Sequence, residues 1–492
     1  MNDLSSYDAI VVGSGAGGAA AAYRFAAAGL RTAIVEKGDA LPRDASTLDF
    51  AKVVHQSSFK SKEVWRDGAG RSFAPEEYFN LGGKTKWYGA ALLRYGRHEF
   101  EADGAHQCLA WPFGYDELAP YYDQAEQMLG VRTFDTEPDL ARILARIQTR
   151  STGWRTEPLQ MGLHSTIRDN RLEASRFDGF ASVADLKSDA ETAFLSKLRQ
   201  RDNVTILTGT PVAELLGSPT NPLRISGVRL SDGRSLQAKA VVLAAGALHS
   251  PRLLQRYLQR TEDGRRLPVA DLAGRYLKLH LLTAVVALTS SRKSDLIRKT
   301  TLLLNDTLPH SSIQPLGFDG ELIGTLIPGV VPRLLAREMG DRAYGFFLQT
   351  EDGSHPANRV IDGGRRRDDL STLDYDSQRS APALAEHQKL VAQFRLALAR
   401  AGTLAFAERI GLAGTAHACG TLVTGNDPAR SAVDPLGRVH GLDGLHVADG
   451  SILPRSSRVN PSLTIYAWAL RLADRLAPQL MAAAAPAEVA PA

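Results

Sequence analysis

The stretch DAIVVGSGAGGAAAAYRFAAAGLRTAIVEK, residues Asp8–Lys37, decides the fold of this chain. Its apolar run Ala9–Val12 is rich in β-branched residues and has the length of a buried parallel strand. Three glycines follow at the spacing G-x-G-x-x-G, namely Gly13, Gly15 and Gly18. In this pattern the first glycine permits a tight turn, the second lets the backbone approach a pyrophosphate, and the third lets the next helix pack on the sheet. The stretch therefore predicts the first half of a dinucleotide-binding unit.

The second half of the same unit follows directly. The alanine-rich segment that begins at Ala16 predicts a helix whose free N–H groups and positive dipole end face the phosphates. Gly29 is placed to end this helix, and Arg31–Val35 has the character of a second strand. Glu36 follows, 18 residues after Gly18, where a carboxylate accepts hydrogen bonds from an adenosine ribose. The alternative to a dinucleotide site is a strand–helix turn in which the glycines are needed only for packing. The pattern alone also does not distinguish FAD from NAD.

Length and composition restrict the class of protein. At 492 residues the chain is long enough for two domains, and its formal charge of +4 gives no support for nucleic-acid binding. No apolar run reaches the roughly 18 residues of a transmembrane segment, and the first strand begins too early to leave room for a signal peptide. Only Cys108 and Cys419 are present, without a metal-ligand spacing of cysteine and histidine. These features predict a cytoplasmic, soluble protein without a bound metal.

Two further segments extend the dinucleotide-binding pattern. FNLGGKTKWYGAALLRYG, Phe79–Gly96, contains the pair Gly82 and Gly83, which lets the backbone run close to a flat ligand. AVVLAAGALHSPRLL, Ala240–Leu254, predicts a buried strand and then a helix with Ser250 as its N-cap.

The pattern changes between about residues 274 and 411. Strand-like runs such as Leu281–Leu288 alternate with loops and with one long amphipathic helix, Pro382–Ala401. We therefore predict an α/β protein, with a Rossmann-like dinucleotide-binding domain and an inserted α+β substrate domain built on an antiparallel sheet. The predicted dinucleotide-binding domain is discontinuous and comprises residues 1–45, 76–110, 195–275 and 420–480. The predicted substrate domain comprises residues 111–194 and 276–419, and residues 481–492 are predicted to form a disordered tail.

Three local predictions complete this outline. The stretch Arg150–Lys187 is poorly patterned and is predicted to form loops over the active site. Glu191–Gln200 is predicted to be helical. The segment Asn460–Leu476 is predicted to be the last helix, with Pro461 at its start.

Two polar residues near the C-terminus suggest chemistry. His417 lies in GTAHACGTLVTG, and Asn460 lies where the last helix begins. An imidazole can take the proton of a hydroxyl group while an amide hydrogen-bonds the same oxygen, so that a hydride can leave the carbon. Each residue alone has a structural alternative, because a histidine among small residues is usually a core residue and an Asn before Pro is usually a helix cap.

The chain resembles the glucose–methanol–choline (GMC) family of FAD-dependent oxidoreductases from end to end. The blocks that carry this resemblance occur in the family's order. They are GSGAGG with Glu36, LGGKTKWYGAALLR, WPFGYDELAPYYDQAE, VVLAAGALHSPRLL, GRYLKLH, EDGSHPANRV, AHACGT, DPLGRVHGLDGLHVADGSILP and NPSLTIYAWALRLADRL. The last three blocks are the most specific.

The resemblance implies a cofactor and a set of site residues. The family's active-site pair, a His followed by a His or Asn, falls on His417 and Asn460, which are the implied catalytic residues. The cofactor is implied to be FAD. The implied FAD-binding residues are Gly13, Gly15, Ala16, Gly18, Glu36, Gly82, Gly83, Thr85, Val212, Ala245, Asp449, Gly450, Asn460, Pro461 and Thr464.

The sequence also departs from the family pattern. Some members attach FAD through a histidine shortly after the Gly-Gly pair, but here residues 84–87 read KTKW. We therefore predict that FAD is bound non-covalently. His249 replaces a smaller polar residue and is expected to pack, Cys419 is expected to be a small buried filler, and His280 is expected to have a structural role.

The resemblance implies oxidation of an alcohol hydroxyl to a carbonyl, with His417 as the base, Asn460 as a hydrogen-bond donor to the oxygen and the flavin as hydride acceptor. The closing motifs resemble pyranose oxidases and glycoside-oxidising members, so the predicted substrate is a sugar or glycoside. A hydrophobic alcohol or a sterol stays open. Two other classes also stay open, an FAD-containing lyase and the flavin subunit of a membrane-linked dehydrogenase complex. The sequence does not choose between oxygen and a quinone-like electron acceptor, and it leaves a homo-oligomer open.

Overall fold

The computed structural model describes residues 6–327, 331–364 and 369–483. Within these ranges the chain forms seventeen strands in three sheets, together with twelve α-helices. In chain order the strands are β1 Ser6–Val12, β2 Thr32–Val35, β3 Trp65–Asp67, β4 Ser72–Phe73, β5 Trp154–Pro158, β6 Val204–Leu207, β7 Val212–Ser218, β8 Asn221–Leu230, β9 Ser235–Leu243, β10 Leu281–Leu288, β11 Thr301–Asn305, β12 Ser311–Pro315, β13 Ala343–Thr350, β14 Arg359–Ile361, β15 Thr372–Asp374, β16 Leu404–Arg409 and β17 Leu445–Val447. The helices are α1 Ala16–Ala27, α2 Tyr115–Leu129, α3 Pro138–Arg150, α4 Arg171–Ser175, α5 Ala190–Ala193, α6 Ser250–Leu258, α7 Glu262–Arg266, α8 Val269–Leu272, α9 Gly320–Thr325, α10 Arg333–Asp341, α11 Ala381–Arg400 and α12 Ser462–Ala482.

The first sheet contains the unit predicted from the glycine-rich stretch. Its strand order is β6-β2-β1-β9-β8-β7, with β17 beside the end of β9. The strands β6, β2, β1, β9 and β17 are parallel to one another, and β1 and β2 are buried in the way that their apolar runs predict. The small side chains of α1 let this helix pack closely on the sheet and on α12. The predicted Rossmann-like fold is confirmed.

The second sheet has the order β16-β10-β13-β12-β11-β5, and all its neighbouring strands are antiparallel. On one face, Phe346 and Leu348 of β13 pack in a core with apolar residues of α3 and α11. Because side chains alternate along a strand, Phe347 and Gln349 lie on the other face. This confirms the predicted antiparallel sheet with a long helix, and it leaves one face of the sheet free to contribute to a site.

Two predictions about local structure are wrong. The stretch predicted as loops, residues 150–187, contains the edge strand β5. Only Trp154 of β5 is buried, so the strand has too few apolar residues to show in the sequence. The predicted helix over 191–200 is broken, because α5 ends at Ala193 and a short 3-10 turn over Leu195–Lys197 follows it.

The end of the last helix also differs from the prediction. The last helix continues past Leu476 to Ala482, into the start of the predicted tail, and Pro478 lies inside it. Burial of Leu476 and Leu480 compensates for the backbone hydrogen bond that a proline removes. Residues 484–492 of the predicted tail lie outside the described part of the chain.

A third, small sheet has the order β14-β15-β3-β4 and joins residues 65–73 to residues 359–374. The domain boundaries given above stay a prediction. Among the described residues, no helix is both long enough and apolar enough to cross a membrane.

Candidate active site

A cavity of about 930 Å³ lies between the two large sheets. One wall contains residues at the carboxyl ends of β1, β2, β9 and β17. The opposite wall contains residues of β12 and β13, from the face of the second sheet that α3 and α11 do not cover. Open parallel sheets bind their ligands at the carboxyl ends of the strands. The volume lies at the upper end of the roughly 300–1,000 Å³ that is typical of ligand sites.

Most of the predicted site residues line this cavity. They are Gly13, Gly15, Ala16, Glu36, Gly83, Thr85, Val212, Ala245, His417, Asp449, Gly450, Asn460 and Pro461. Three predicted residues lie behind the wall. Gly18 packs against the turn after β1, and the Gly82 amide donates to Ser14 Oγ at 3.0 Å. The Thr464 hydroxyl forms a hydrogen bond with the Tyr122 hydroxyl at 2.7 Å, so it is occupied within the protein.

The start of α1 is an open anion site. Gly15 is the N-cap residue, no side chain caps the helix, and its first turn contains no acidic residue. A Cβ on Gly15 would meet no atom within 4 Å, so the space in front of the helix is empty of protein. Free amide donors and the positive end of the helix dipole favour an anion there. This part of the cavity fits the pyrophosphate of a dinucleotide.

Glu36 fixes the glycine-rich turn and also lines the cavity. Its Oε2 atom accepts hydrogen bonds from the Ser14 amide at 2.9 Å and the Ser14 hydroxyl at 2.6 Å, and its Oε1 atom accepts one from the Gly38 amide at 3.0 Å. Burial raises the pKa of Glu36, although these hydrogen bonds oppose the shift. Since Oε1 accepts only one of these three hydrogen bonds, it has a lone pair left for the ribose that the sequence predicts at this point.

Asp449 joins the end of β17 to α6. Its Oδ2 atom accepts hydrogen bonds from the Gly246 amide at 2.8 Å and from the Ser250 hydroxyl. Ser250 is the first residue of α6 and His249 is its N-cap residue, which corrects the sequence prediction. The carboxylate also accepts a hydrogen bond from the Ser451 amide at 2.9 Å, while burial raises its pKa.

His417 and His280 form a hydrogen-bonded pair at the cavity. His280 Nε2 lies 2.8 Å from the Ser457 carbonyl oxygen, and the two Nδ1 atoms of the histidines are 2.9 Å apart. A carbonyl only accepts, so His280 carries its proton on Nε2 and its Nδ1 accepts the Nδ1–H of His417. This assignment requires His280 to be neutral, whereas His417 can donate through its Nδ1–H in either protonation state. When His417 is also neutral, its Nε2 atom is unprotonated and has a lone pair.

Electrostatics keep both rings neutral. Burial lowers the pKa of His417 well below its ordinary value, and the neighbouring His280, Lys299 and Lys84 lower it further. Burial also lowers the pKa of His280. A neutral His417 can accept a proton at Nε2 at physiological pH.

Asn460 lies beside the same nitrogen atom. Its Nδ2 is 3.2 Å from His417 Nε2, and its Oδ1 accepts a hydrogen bond from Gln314 Nε2 at 2.6 Å. With Gln314 donating to Asn460 Oδ1, the Nδ2 end of the Asn460 amide faces the histidine. Gln314 lies on β12, so the second sheet orients a residue that precedes α12.

A buried ion pair fixes the loop that carries these contacts. Glu351, after β13, binds Arg455 through both carboxylate oxygens at 2.8 and 2.7 Å, and it accepts the Ser457 amide at 3.0 Å. Both side chains are almost completely buried. Burial disfavours the charge on Glu351, but hydrogen bonds from Arg455 and His310 outweigh it and lower its pKa. The Ser457 carbonyl that orients His280 is thereby held in place.

Three other sequence predictions concern neighbouring residues. Cys419 lies two residues after His417 and is fully buried. Burial raises the pKa of its thiol to about 12, so the side chain carries little reactive thiolate, in line with the expected buried filler. His249 lines the cavity. It also packs edge-on against Trp65 and Phe79, in agreement with the expected packing role. His280 was expected to be structural, and its contact with His417 is a finding of the structure.

Comparisons with known proteins agree with this geometry. The FAD dependent oxidoreductase family matches residues 8–300, which is more than half of the chain, and the GMC oxidoreductase family matches residues 367–469. The chain is 28% identical to 6'''-hydroxyparomomycin C oxidase of Streptomyces lividus, over 97% of this chain and 92% of that protein. It is 27% identical to paromamine 6'-oxidase of Streptomyces fradiae, over 98% and 93%.

The fold is also shared with a solved structure, pyridoxine 4-oxidase from Mesorbium loti. The two chains are 20% identical and superpose with a TM-score of 0.67, over 95% of this chain and 98% of that one. The glycine-rich turn, the open helix terminus and the cavity volume fit the FAD that the family matches imply. The chain belongs to the FAD-dependent oxidoreductases, and within them to the GMC type, which acts on alcohol groups.

Proposed function

We propose that this enzyme oxidises a hydroxyl group of a carbohydrate or aminoglycoside to a carbonyl, with His417 as the base. The observation that supports the proposal best is the lone pair of His417 Nε2 at the cavity, beside the Asn460 amide. Two relatives that match almost the whole chain are named as oxidases of paromamine and of hydroxyparomomycin.

The residues suggest a division of roles. Asn460 Nδ2 lies 3.2 Å from His417 Nε2, which is hydrogen-bonding distance. A substrate hydroxyl that replaces this direct contact can donate its hydrogen to His417 Nε2 and accept a hydrogen bond from Asn460 Nδ2. Transfer of the hydroxyl proton to Nε2 leaves the His417 Nδ1–H bound to His280, so the ring does not need to turn. FAD, when bound, supplies the acceptor for the hydride that leaves the alcohol carbon.

We also propose oxygen as the electron acceptor, because both relatives are named as oxidases. The test is anaerobic mixing of the holoenzyme with paromamine, methyl α-D-glucopyranoside, glycerol and propan-1-ol, followed by admission of air. Sugars or aminoglycosides should bleach the flavin absorbance, and air should restore it with formation of hydrogen peroxide. Bleaching by propan-1-ol alone would contradict the substrate class. Product formation without bleaching would instead indicate a lyase.

FAD is proposed to be held non-covalently, because the segment after Gly83 offers lysines and no imidazole. Lys84 Nζ forms an ion pair with Glu77 and donates to the Thr415 carbonyl at 3.0 Å, while Lys86 is buried in another ion-pair cluster. Acid precipitation of the purified protein should therefore release FAD into the supernatant. Yellow colour that stays with the washed pellet would refute this.

His280 is a positioning residue in this proposal, and its replacement tests the assigned tautomer. His280→Ala removes the acceptor for the His417 Nδ1–H, so the base loses its fixed orientation. One neutral hydrogen bond contributes about 0.5–1.5 kcal/mol, so flavin reduction should slow about 3- to 10-fold. The pH dependence of reduction should also shift, which a purely structural role would not cause. An unchanged rate and pH profile in a folded, FAD-loaded variant would exclude the role.

A further inference from the structure

A second polar feature of the cavity, separate from His417 and Asn460, is an ion pair between Lys299 and Asp178. Lys299 Nζ lies 3.1 Å from Asp178 Oδ2, and both residues line the cavity. Lys299 precedes β11, and Asp178 lies in the segment between α4 and α5. The two residues are only 7% and 8% exposed, so bulk water solvates the pair poorly.

This pair has unused hydrogen-bonding capacity. Asp178 Oδ2 accepts from Lys299 and from the Gly317 amide at 3.0 Å. Within the described residues, Asp178 Oδ1 and two of the three Lys299 N–H donors have no protein partner. Buried charges normally satisfy their hydrogen-bonding groups, because leaving them unpaired is costly.

Two other buried lysines, Lys187 and Lys86, illustrate how a structural lysine is hydrogen-bonded in this chain. Lys187 Nζ is fully buried and donates to the carbonyl oxygens of three residues, Tyr88, Phe177 and Phe180. Lys86 is paired with two carboxylates. Neither of these two lysines lines the cavity. Of these three lysines, Lys299 is the one that lines the cavity and has N–H groups without a partner among the described residues.

The backbone makes room for the pair at this point. A Cβ on Gly89 would lie 2.3 Å from Asp178 Oδ1 and 2.4 Å from Lys299 Nζ, so any larger residue would displace them. Gly89 itself lines the cavity, a few residues after Gly83. The pair therefore lies where the segment of Gly89 meets the part of the wall that the second sheet contributes. Lys299 is also close enough to His417 to lower the pKa of that histidine.

The chemistry of the pair selects its ligand. An ammonium donor next to a carboxylate acceptor matches a hydroxyl group, which both accepts and donates a hydrogen bond. A substrate carboxylate would be repelled by Asp178 and a substrate amine by Lys299, so the pair favours a neutral group. Apolar side chains, among them Leu316, Phe318 and Phe347, line the cavity nearby and suit the C–H face of a sugar ring.

We propose that Lys299 and Asp178 bind a second, non-reacting hydroxyl of the substrate, so that the enzyme prefers polyhydroxylated substrates to simple alcohols. The proposal rests on the proposed function for the reacting hydroxyl at His417. It adds a specificity-determining subsite that no local sequence pattern predicts.

Binding to holoenzyme whose turnover has been slowed by His417→Ala tests the subsite. His417→Ala holoenzyme is titrated with methyl α-D-glucopyranoside, glycerol and propan-1-ol, and binding is followed by perturbation of the oxidised flavin spectrum. We expect the glucoside and glycerol to bind at least 10-fold more tightly than propan-1-ol. Adding Lys299→Met or Asp178→Asn should weaken the polyols about 10- to 100-fold, the effect of losing a hydrogen bond to a charged group. Propan-1-ol should change little.

Two further variants keep the test decisive. The double variant Lys299→Met/Asp178→Asn removes both charges and so avoids the unpaired buried charge that could unfold a single variant. Lys84→Met is the matched control, because Lys84 also lines the cavity and also lowers the pKa of His417 but already has two protein partners. Its polyol preference should be retained.

The outcomes separate the subsite from the proposed function. Polyols that bind no better than propan-1-ol, or variants that keep the full preference, would overturn the subsite even if sugars reduce the wild-type flavin. Polyols that bind tightly through Lys299 and Asp178 but never reduce the wild-type flavin would keep the subsite and overturn the proposed function.

Discussion

His417→Ala is expected to slow substrate reduction of the flavin by about 10²–10⁴-fold, which is the usual contribution of a positioned base. The variant should still fold and bind FAD, because the glycine-rich turn, Glu36 and Asp449 lie elsewhere on the cavity wall. The measurement is anaerobic stopped-flow reduction with saturating substrate, together with the flavin content of the purified variant. Asn460→Ala should slow the same step less, because it removes a hydrogen bond and not the proton acceptor.

Cys419→Ala is the matched control for this variant. Cys419 lies two residues from His417, is fully buried and does not line the cavity. It should retain most of the wild-type reduction rate and normal flavin binding. A His417→Ala enzyme that reduces its flavin at the wild-type rate would identify another residue as the base, and a slow Cys419→Ala enzyme with an intact flavin spectrum would show a role for the thiol.

The pH dependence follows from the same residue. Protonation of His417 Nε2 abolishes the base, so kcat/KM should fall with acid. Burial and the nearby His280, Lys299 and Lys84 lower the pKa of His417, so this fall should occur well below pH 6.5, the ordinary value for histidine. A profile that already declines near pH 7 would show that these groups do not depress the pKa in the holoenzyme.

The sequence predicts those parts of the molecule whose structure depends on local pattern. The β1–α1–β2 unit is fixed by an apolar run, three glycines and an alanine-rich helix, all within 30 residues of chain. β10 is likewise found at its predicted bounds, because seven of its eight residues are apolar. By contrast, the edge strand β5 is largely exposed and its residues carry no recognisable period.

The contacts around His417, the proposed base, could not be predicted in this way. His280 and His417 are 137 residues apart, and Gln314 and Asn460 are 146 residues apart. Their meeting depends on how the second sheet packs on the loop before α12, which no local pattern encodes. A role for Lys299 could not be predicted for the same reason, since its partner Asp178 is 121 residues away in the sequence. The resemblance to a family identifies the pair His417 and Asn460, but not the residues that orient them.

Gly15→Asp is expected to abolish FAD retention without destabilising the fold. Gly15 is the N-cap of α1, and a Cβ there meets no protein atom, so a side chain can be added. Asp is a favoured N-cap residue and differs from Gly there by only a few tenths of a kcal/mol. Its carboxylate would occupy the place of the pyrophosphate, and two unit charges 4 Å apart repel by about 4 kcal/mol at an effective dielectric constant of 20. The Kd for FAD should rise about 10²–10³-fold.

Gly114→Asp provides a control of the same chemistry in the same chain. Gly114 is the N-cap of α2, also lacks a side-chain cap and also has open space at its Cβ, but it does not line the cavity. FAD titration of the two apo variants, with their thermal unfolding, separates the effects. Gly114→Asp should bind FAD like the wild type, and both apo proteins should unfold at nearly the wild-type temperature. Normal FAD binding by Gly15→Asp would show that the pyrophosphate does not lie at the start of α1, and the assignment of the glycine-rich turn would be wrong.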